Sequence, residues 1–232
     1  MSIKNKIVCF SPHPDDELLG CGGSIIKAIE KGADVHICYM SYGETGSPKH
    51  NFEDLGKIRK NEALKVCNFI GIPTKNIHFL KIPDNQIEAS DFGNFTHIMK
   101  IVREVKPNIV YLPHINEQSH DHEQAHKLVM RLDMAASNNF FEFGKSAWWV
   151  ETVLAYEVWT PMEKYQYSED ISKYLDKKIE ALKMYESQTK EQGNVSDFIS
   201  NKAKCLPGYR AAMTIGEYRE MFQVLRMPTL YE

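Results

Sequence analysis

The chain predicts an α/β fold, with helices packed on both faces of a mostly parallel sheet, and three observations carry that reading. Short β-branched runs alternate with longer amphipathic segments over about the first 130 residues. The junctions between them hold helix-stopping residues. The composition, 43% hydrophobic and 25% charged over 232 residues, is that of a soluble globular protein with chain enough for a substantial core.

Taken in order, Lys6–Phe10 reads as a first strand and Glu17–Lys31 as the helix that returns from it. Val35–Met40 is the second strand, followed by a helix over Phe52–Ile70. Ile77–Leu80 with Phe92–Val105, and Ile109–Leu112 with His122–Ala136, complete four strand–helix units. Repeated units of this kind imply a parallel sheet, because each helix carries the chain back to the start of the next strand. Gly32, the "GIP" of Gly71–Pro73 and the "KPN" of Lys106–Asn108 end the helices. Past about residue 140 the pattern changes. "ETVLAYEVWTP" reads as one more strand, and Ile171–Ser187 as a helix with Ile171, Leu175, Ile179, Leu182 and Tyr185 at helical spacing; the rest reads as short elements. The expected architecture is a single domain over 1–232: a Rossmann-like three-layer sandwich over about 1–140, with a C-terminal cap of an extra strand and helices over about 141–232.

Charge and cysteine usage narrow the function. A net charge of −3, without a Lys/Arg-rich run interleaved with aromatics, lacks the electrostatic footprint of a nucleic-acid binder, so a small-molecule partner is expected. Cys9, Cys21, Cys38, Cys67 and Cys205 are scattered, at least three of them inside apolar runs, which suits buried free thiols in a reducing compartment. No stretch approaches the ~18 apolar residues of a membrane span, and "MSIKNKIVCF" meets the acidic run too early to hold a signal-peptide core. A cytoplasmic location is expected.

The chemistry concentrates where the first strand ends, in "SPHPDDELLGCGG". In open α/β sheets ligands gather beyond the carboxyl ends of the strands. An imidazole and a carboxylate three residues apart across the Pro14 turn, His13 and Asp16, can converge on one metal ion. The competing structural reading has Asp15, Asp16 and Glu17 cap a helix, where the macrodipole favours negative charge; it leaves His13 unexplained. A hydrolytic zinc ion takes three protein ligands and keeps a position open for water. The source of a third is "PHINEQSHDHEQAH" after the fourth strand, which holds four of the chain's nine histidines, His114, His120, His122 and His126. The clustered glycines of "GCGGS" do not form G-x-G-x-x-G and follow an acidic run that would repel a pyrophosphate, so a nucleotide-binding reading is set aside.

These residues resemble the LmbE-like (PIG-L) zinc deacetylases, which include N-acetylglucosaminyl-phosphatidylinositol de-N-acetylase, and the resemblance covers most of the chain. "SPHPDDE" matches the (A/S)xHPDDE signature, "SYGETG" (Ser41–Gly46) the T/S-x-GExG element, Arg59 and Glu62 an R-x-x-E element, and "IPD" (Ile82–Asp84) an LPD element. The H-x-D-H element is matched in part: Asp121 and His122 align, Ser119 stands at the first histidine position, and His120 occupies the variable one. The resemblance implies zinc held by His13, Asp16 and His122, with Asp15 as general base. It further implies His120 as a stand-in for the auxiliary histidine and Asp121 as the carboxylate orienting an imidazole. Arg59, Asp84 and Glu44 are the implied substrate contacts, and Glu17 supports the turn or the ligands. His114 and His126 fit no family position; the first is expected at the rim or behind the ligands, the second toward solvent or the helix interior. For Arg59 an exposed pairing with Glu62 is an equal alternative, and for Asp84 an ordinary turn role. Trp148, Trp149 and Trp159 suit packing more than sugar stacking. "YEVWTP", "KIEALKMYESQ" and "YREMF", with Glu220, resemble segments of a bacterial branch and are assigned to core or homo-oligomer contacts. The expected function is zinc-dependent removal of an N-acetyl group from an amino-sugar conjugate. Its rivals are an amidase or deformylase acting on another N-acyl sugar or thiol conjugate, and a non-catalytic sugar-binding relative.

Overall fold

In the computed structural model, which describes residues 5–136, 146–189 and 195–228, the predicted units appear in the expected order. They are β1 (Lys6–Ser11), α1 (Asp16–Glu30), β2 (Asp34–Ser41), α2 (Phe52–Ile70), β3 (Ile77–Ile82), α3 (Phe92–Val105), β4 (Ile109–Pro113) and α4 (His120–Ala136). The C-terminal part adds β5 (Thr152–Tyr156), β6 (Tyr167–Asp170), α5 (Leu175–Lys183), α6 (Glu186–Thr189), α7 (Val195–Ala212) and β7 (Arg219–Arg226). One seven-stranded sheet runs β3-β2-β1-β4-β5-β7-β6. The first five strands pair in parallel, while β7 runs antiparallel to both β5 and β6. Where one further strand was expected, the C-terminal part contributes three to the same sheet. Among the described residues no helix is long and apolar enough to cross a membrane.

β1 is buried on both faces, which is why it reads as a continuous apolar run. Ile7 and Cys9 face α1 and α2 with Ile37 and Tyr39, while Val8 and Phe10 face α3 and α4 with Cys38 and Met40. Burying each large aliphatic or aromatic side chain contributes about 1.5–3 kcal/mol. Helix ends follow local chemistry. Asn51 caps α2 by accepting from the Asp54 N–H, Gly71 ends it at φ 101°, and Asp91 caps α3 through the Asn94 N–H. The five cysteines are free thiols, four of them buried.

The predicted helix over Ile171–Ser187 is instead broken into a 3-10 turn at Ser172–Tyr174, then α5, then α6. The break at Met184 and Tyr185, where the amides bond i−3 carbonyls, coincides with the Tyr185 phenol donating to Glu17, 2.7 Å away. α1 is also interrupted, at Cys21 (φ −140°, ψ 22°). The Gly23 and Ser24 amides donate to the carboxylate of Glu220 on β7, both at 2.8 Å, and Lys178 of α5 donates to the same carboxylate at 2.7 Å. A Cβ on Gly23 would stand 2.6 Å from Ile171, and one on Gly20 2.2 Å from the Tyr156 ring. The "GCGGS" glycines therefore serve close packing.

Candidate active site

β1 is flanked by β2 on one side and β4 on the other, and the chain leaves it in opposite directions on the two sides, so its C-terminal end lies at a topological switch point. The loop Pro12–Asp15 opens there, and Asp15 sits at the N-cap of α1 with φ 115°. A non-glycine residue in that region costs about 1–3 kcal/mol and needs its surroundings to hold it. Glu17 does much of the holding: one carboxylate oxygen accepts the Asp15 N–H (3.0 Å) and the Ser11 hydroxyl (3.3 Å). The other accepts the phenols of Tyr39 (3.0 Å) and Tyr185 (2.7 Å). Asp15 itself makes no side-chain capping bond, so the helix-cap reading does not account for it.

His13, Asp16 and His122 converge. One Asp16 oxygen, Oδ2, lies 3.2 Å from His13 Nδ1 and 3.0 Å from His122 Nε2, and the three ligand atoms all fall within 4.8 Å of one another. His122 is buried and neither of its ring nitrogens makes a hydrogen bond. An imidazole whose Nδ1 is dry and unpaired, and whose Nε2 faces a carboxylate outside hydrogen-bond geometry, is costly. A divalent cation among the three residues removes half of that cost, and a two-imidazole, one-carboxylate donor set suits zinc. The residues present therefore fit a metal.

His13 Nε2 faces the other way, bonded to Asp121 Oδ2 at 3.1 Å and 3.0 Å from Asp84 Oδ1. These two carboxylates with His13 form a second potential donor set. Both are already occupied, Asp121 by the Asn85 and Ile87 amides and Asp84 by the Thr45 amide and hydroxyl. They act as acceptors for an Nε2–H, so that a cation among the three residues would meet the Nδ1 lone pair. Asp121 thus orients His13, across 108 residues of chain, and not its neighbour His122.

Protonation follows the same geometry. Burial disfavours charge on His13, but the Asp121, Asp16 and Asp84 carboxylates outweigh it and raise its pKa well above 6.5. Burial likewise opposes ionisation of Asp16, yet the His122 and His13 imidazoles hold its carboxyl far below the usual range. Asp15 is pushed up to about 8 by burial, with the Arg59 guanidinium pulling down and the Asp16 and Glu17 charges pushing up.

Arg59 is neither exposed nor on a solvent face. It is buried, donates to the carbonyls of Gly43 (2.9 Å) and Pro14 (2.5 Å), and stands 3.3 Å from Asp15. A Cβ on Gly43, whose φ is +67°, would lie 2.3 Å from this guanidinium, and one on Gly46 2.6 Å. Both glycines of "GETG" are explained by that approach. Glu44 accepts the Asp84 amide at 3.0 Å, and Asp84 accepts from Thr45, so these two tie the loops after β2 and β3 together. His120, the first residue of α4, is exposed and pairs with Glu88 at 3.3 Å. His126 is buried and bonds the Pro113 carbonyl, away from solvent. His114 is buried, bonding the Thr160 carbonyl beside Glu117.

Three residues here carried no assignment to the site from sequence: Tyr39, Tyr185 and Glu117. Tyr185 lies in the "K-x-x-A-x-x-x-Y-x-SQ" segment, where Ser187 also bonds Glu62 through its amide and hydroxyl. Glu117 lies inside the histidine-rich loop and accepts the amides of Val158, Trp159 and Thr160, the core of "YEVWTP". A cavity of about 1000 Å³ opens between α1 and the sheet, floored by Ile7, Ile109 and Leu154, and includes none of the motif residues.

Comparison with known proteins gives a consistent picture. The profile of one family, PIG-L, described as GlcNAc-PI de-N-acetylase, matches residues 8–132. The diacetylchitobiose deacetylase of Thermococcus kodakarensis is 28% identical over 196 residues, covering 80% of this chain and 71% of that protein. The N,N'-diacetylchitobiose deacetylase structure from Pyrococcus horikoshii superposes with a TM-score of 0.86 at 21% identity, over 96% of this chain and 84% of that one. The 4-carboxy-2-hydroxymuconate hydratase of Pseudomonas putida shares the fold as well, with a TM-score of 0.84 at 19% identity and 98% coverage of both chains. The fold alone, then, does not select the reaction.

Proposed function

Because this chain belongs to the PIG-L family of GlcNAc-PI de-N-acetylases, we propose that it is a zinc-dependent hydrolase that removes an N-acetyl group from an N-acetylglucosamine conjugate. The observation that supports this most is the buried convergence of His13, Asp16 and His122, with neither His122 ring nitrogen in a hydrogen bond and Nε2 turned to the Asp16 carboxylate, beside an Asp15 that takes no part in that donor set. A zinc ion held by His13, Asp16 and His122 supplies Lewis acidity toward a water and an amide carbonyl.

The chain's own residues do the rest. Asp121, with Asp84 close by, fixes the His13 ring so that Nδ1 presents its lone pair. Asp15, raised by burial to about 8 before any cation is bound and drawn down by a neighbouring cation, is suited to general-base work: a carboxylate oxygen takes a proton from the attacking water. A C–O bond forms as the carbonyl becomes tetrahedral. The same carboxyl then returns the proton to the amide nitrogen as the C–N bond breaks, releasing acetate and a free amine. Arg59 keeps Asp15 in place by gripping the Pro14 and Gly43 carbonyls, a positioning duty in this state of the loop. His120, at the rim with Glu88, is assigned to contact with the far part of the conjugate. Glu44, Thr45 and Asp84 tie the loops after β2 and β3 together beside His13.

The test is release of acetate and amine, in equal amounts, from N-acetylglucosamine conjugates such as diacetylchitobiose, using protein of measured zinc content. Zinc near one equivalent with stoichiometric products is the expected result. Full zinc occupancy with no amide cleavage on any such conjugate would sink the proposed reaction and favour another chemistry on the same fold.

A further inference from the structure

We propose that Glu117 is the positioning residue for His122, and that it couples this ligand to the Val158–Thr160 segment at the end of β5. The inference rests on the reading of His122 as a metal ligand. His122 Nε2 points at Asp16 Oδ2, 3.0 Å away, so a cation there takes that nitrogen's lone pair. The neutral ring then carries its proton on Nδ1, which is buried and has no hydrogen-bond partner. Glu117 Oε2 lies 3.8 Å from Nδ1. Closing that gap by about 0.8 Å makes an ordinary N–H···O bond.

Glu117 is equipped for this. Its side chain has no exposed surface, and its two oxygens accept the amides of Val158 (2.6 Å), Trp159 (3.0 Å) and Thr160 (3.2 Å). His114 Nε2 stands 3.2 Å from the other side of the carboxylate and bonds the Thr160 carbonyl at 2.7 Å. A carboxylate gripped by three consecutive amides cannot turn freely. Its remaining lone-pair direction is fixed by the backbone of another strand end, 41 residues away in sequence. Asp121 does the equivalent for His13. The "EVWTP" stretch thereby gains a role: it anchors the acceptor behind the second imidazole.

The test uses the full chain and zinc itself as probe, with Glu117→Gln as variant, because the carboxamide keeps the side chain's shape and one acceptor. Zinc affinity, read by competition with a chromogenic chelator, is expected to fall about 10–100-fold. Imidazole ¹⁵N NMR of zinc-loaded wild type should show His122 as the Nδ1–H tautomer, with a hydrogen-bonded proton. A residue that only props the 158–160 backbone would change the melting temperature but not that proton signal. A zinc-loaded wild type whose His122 Nδ1 proton exchanges freely and shows no hydrogen bond, or a Glu117→Gln protein binding zinc within twofold of wild type, overturns the inference alone. Wild type that takes up no zinc overturns the metal reading and this inference with it. If Glu117→Gln fails to fold, the presence or absence of a hydrogen bond from the wild-type His122 Nδ1–H still decides.

Discussion

Replacing Glu220 with glutamine strikes the interruption of α1 from β7. Its carboxylate accepts the Gly23 and Ser24 amides (2.8 Å each) and the Ser24 hydroxyl (2.7 Å), and pairs with Lys178, which has no exposed side-chain surface. Glutamine keeps one acceptor oxygen and turns an NH2 toward donors that need an acceptor. It also removes the charge that neutralises the Lys178 ammonium, whose other acceptor is the Leu19 carbonyl at 3.0 Å. Breaking a buried ion pair by removing one partner costs about 3–5 kcal/mol. For a chain of this size each kcal/mol moves the midpoint by about 2–4 °C, so the expected drop is on the order of 6–20 °C. Calorimetry or circular dichroism at fixed zinc measures it. Adding Lys178→Met should recover part of the loss, since the unneutralised ammonium is removed, but not all of it, because one of the two amides remains unmatched. A single Glu220→Gln variant melting within about 3 °C of wild type would refute the idea that this carboxylate stabilises the interrupted helix.

Two further perturbations follow from the site. In chelator-treated protein, Asp15 (raised to about 8) and His13 (raised above 6.5) both bind protons more tightly folded than unfolded. Their contribution is complete below the unfolded pKa and is lost as pH rises through the folded one. The melting temperature of the metal-free protein should therefore fall from about pH 5 to about pH 9, and added zinc should offset the loss at the alkaline end; a steady rise over that interval without metal would contradict the assignment. Gly43→Ala forces a methyl against Arg59 at 2.3 Å in a backbone with φ +67°. A loss of about 1–3 kcal/mol, seen in denaturant unfolding, is expected together with lowered activity; a neutral result would show that the Arg59 bridge to Pro14 is dispensable.

The strand–helix core was legible because its strands are buried on both faces and its helices carry their own ends. α2 and α3 fall on their predicted bounds, Phe52–Ile70 and Phe92–Val105, where Asn51, Asp91 and Gly71 mark the termini. β6 and β7 were not read: "YSED" is a polar edge strand, and "REMFQVLR" is buried only over Glu220–Phe222. α7 was missed for a local reason, since Pro207 inside it reads as a breaker. At the site, the same contrast holds. His13, Asp15 and Asp16 sit within four residues, but what holds them does not. Glu17 meets Tyr185 across 168 residues, Glu220 meets Ser24 across 196, and Arg59 reaches the Pro14 carbonyl across 45. Side chains that act through long-range contacts leave no spacing in the sequence to find. Asp121 is the plainest case: the resemblance implied that it orients an imidazole, and folding delivers it to that of His13, 108 residues away.

The central claim is that Asp15 moves protons while His13, Asp16 and His122 hold the metal. Steady-state deacetylation by Asp15→Asn protein, at zinc content matched to wild type, tests it directly. A kcat lower by about 10²–10⁴-fold, with about one zinc still bound, is predicted; turnover within tenfold of wild type at equal zinc would contradict the account.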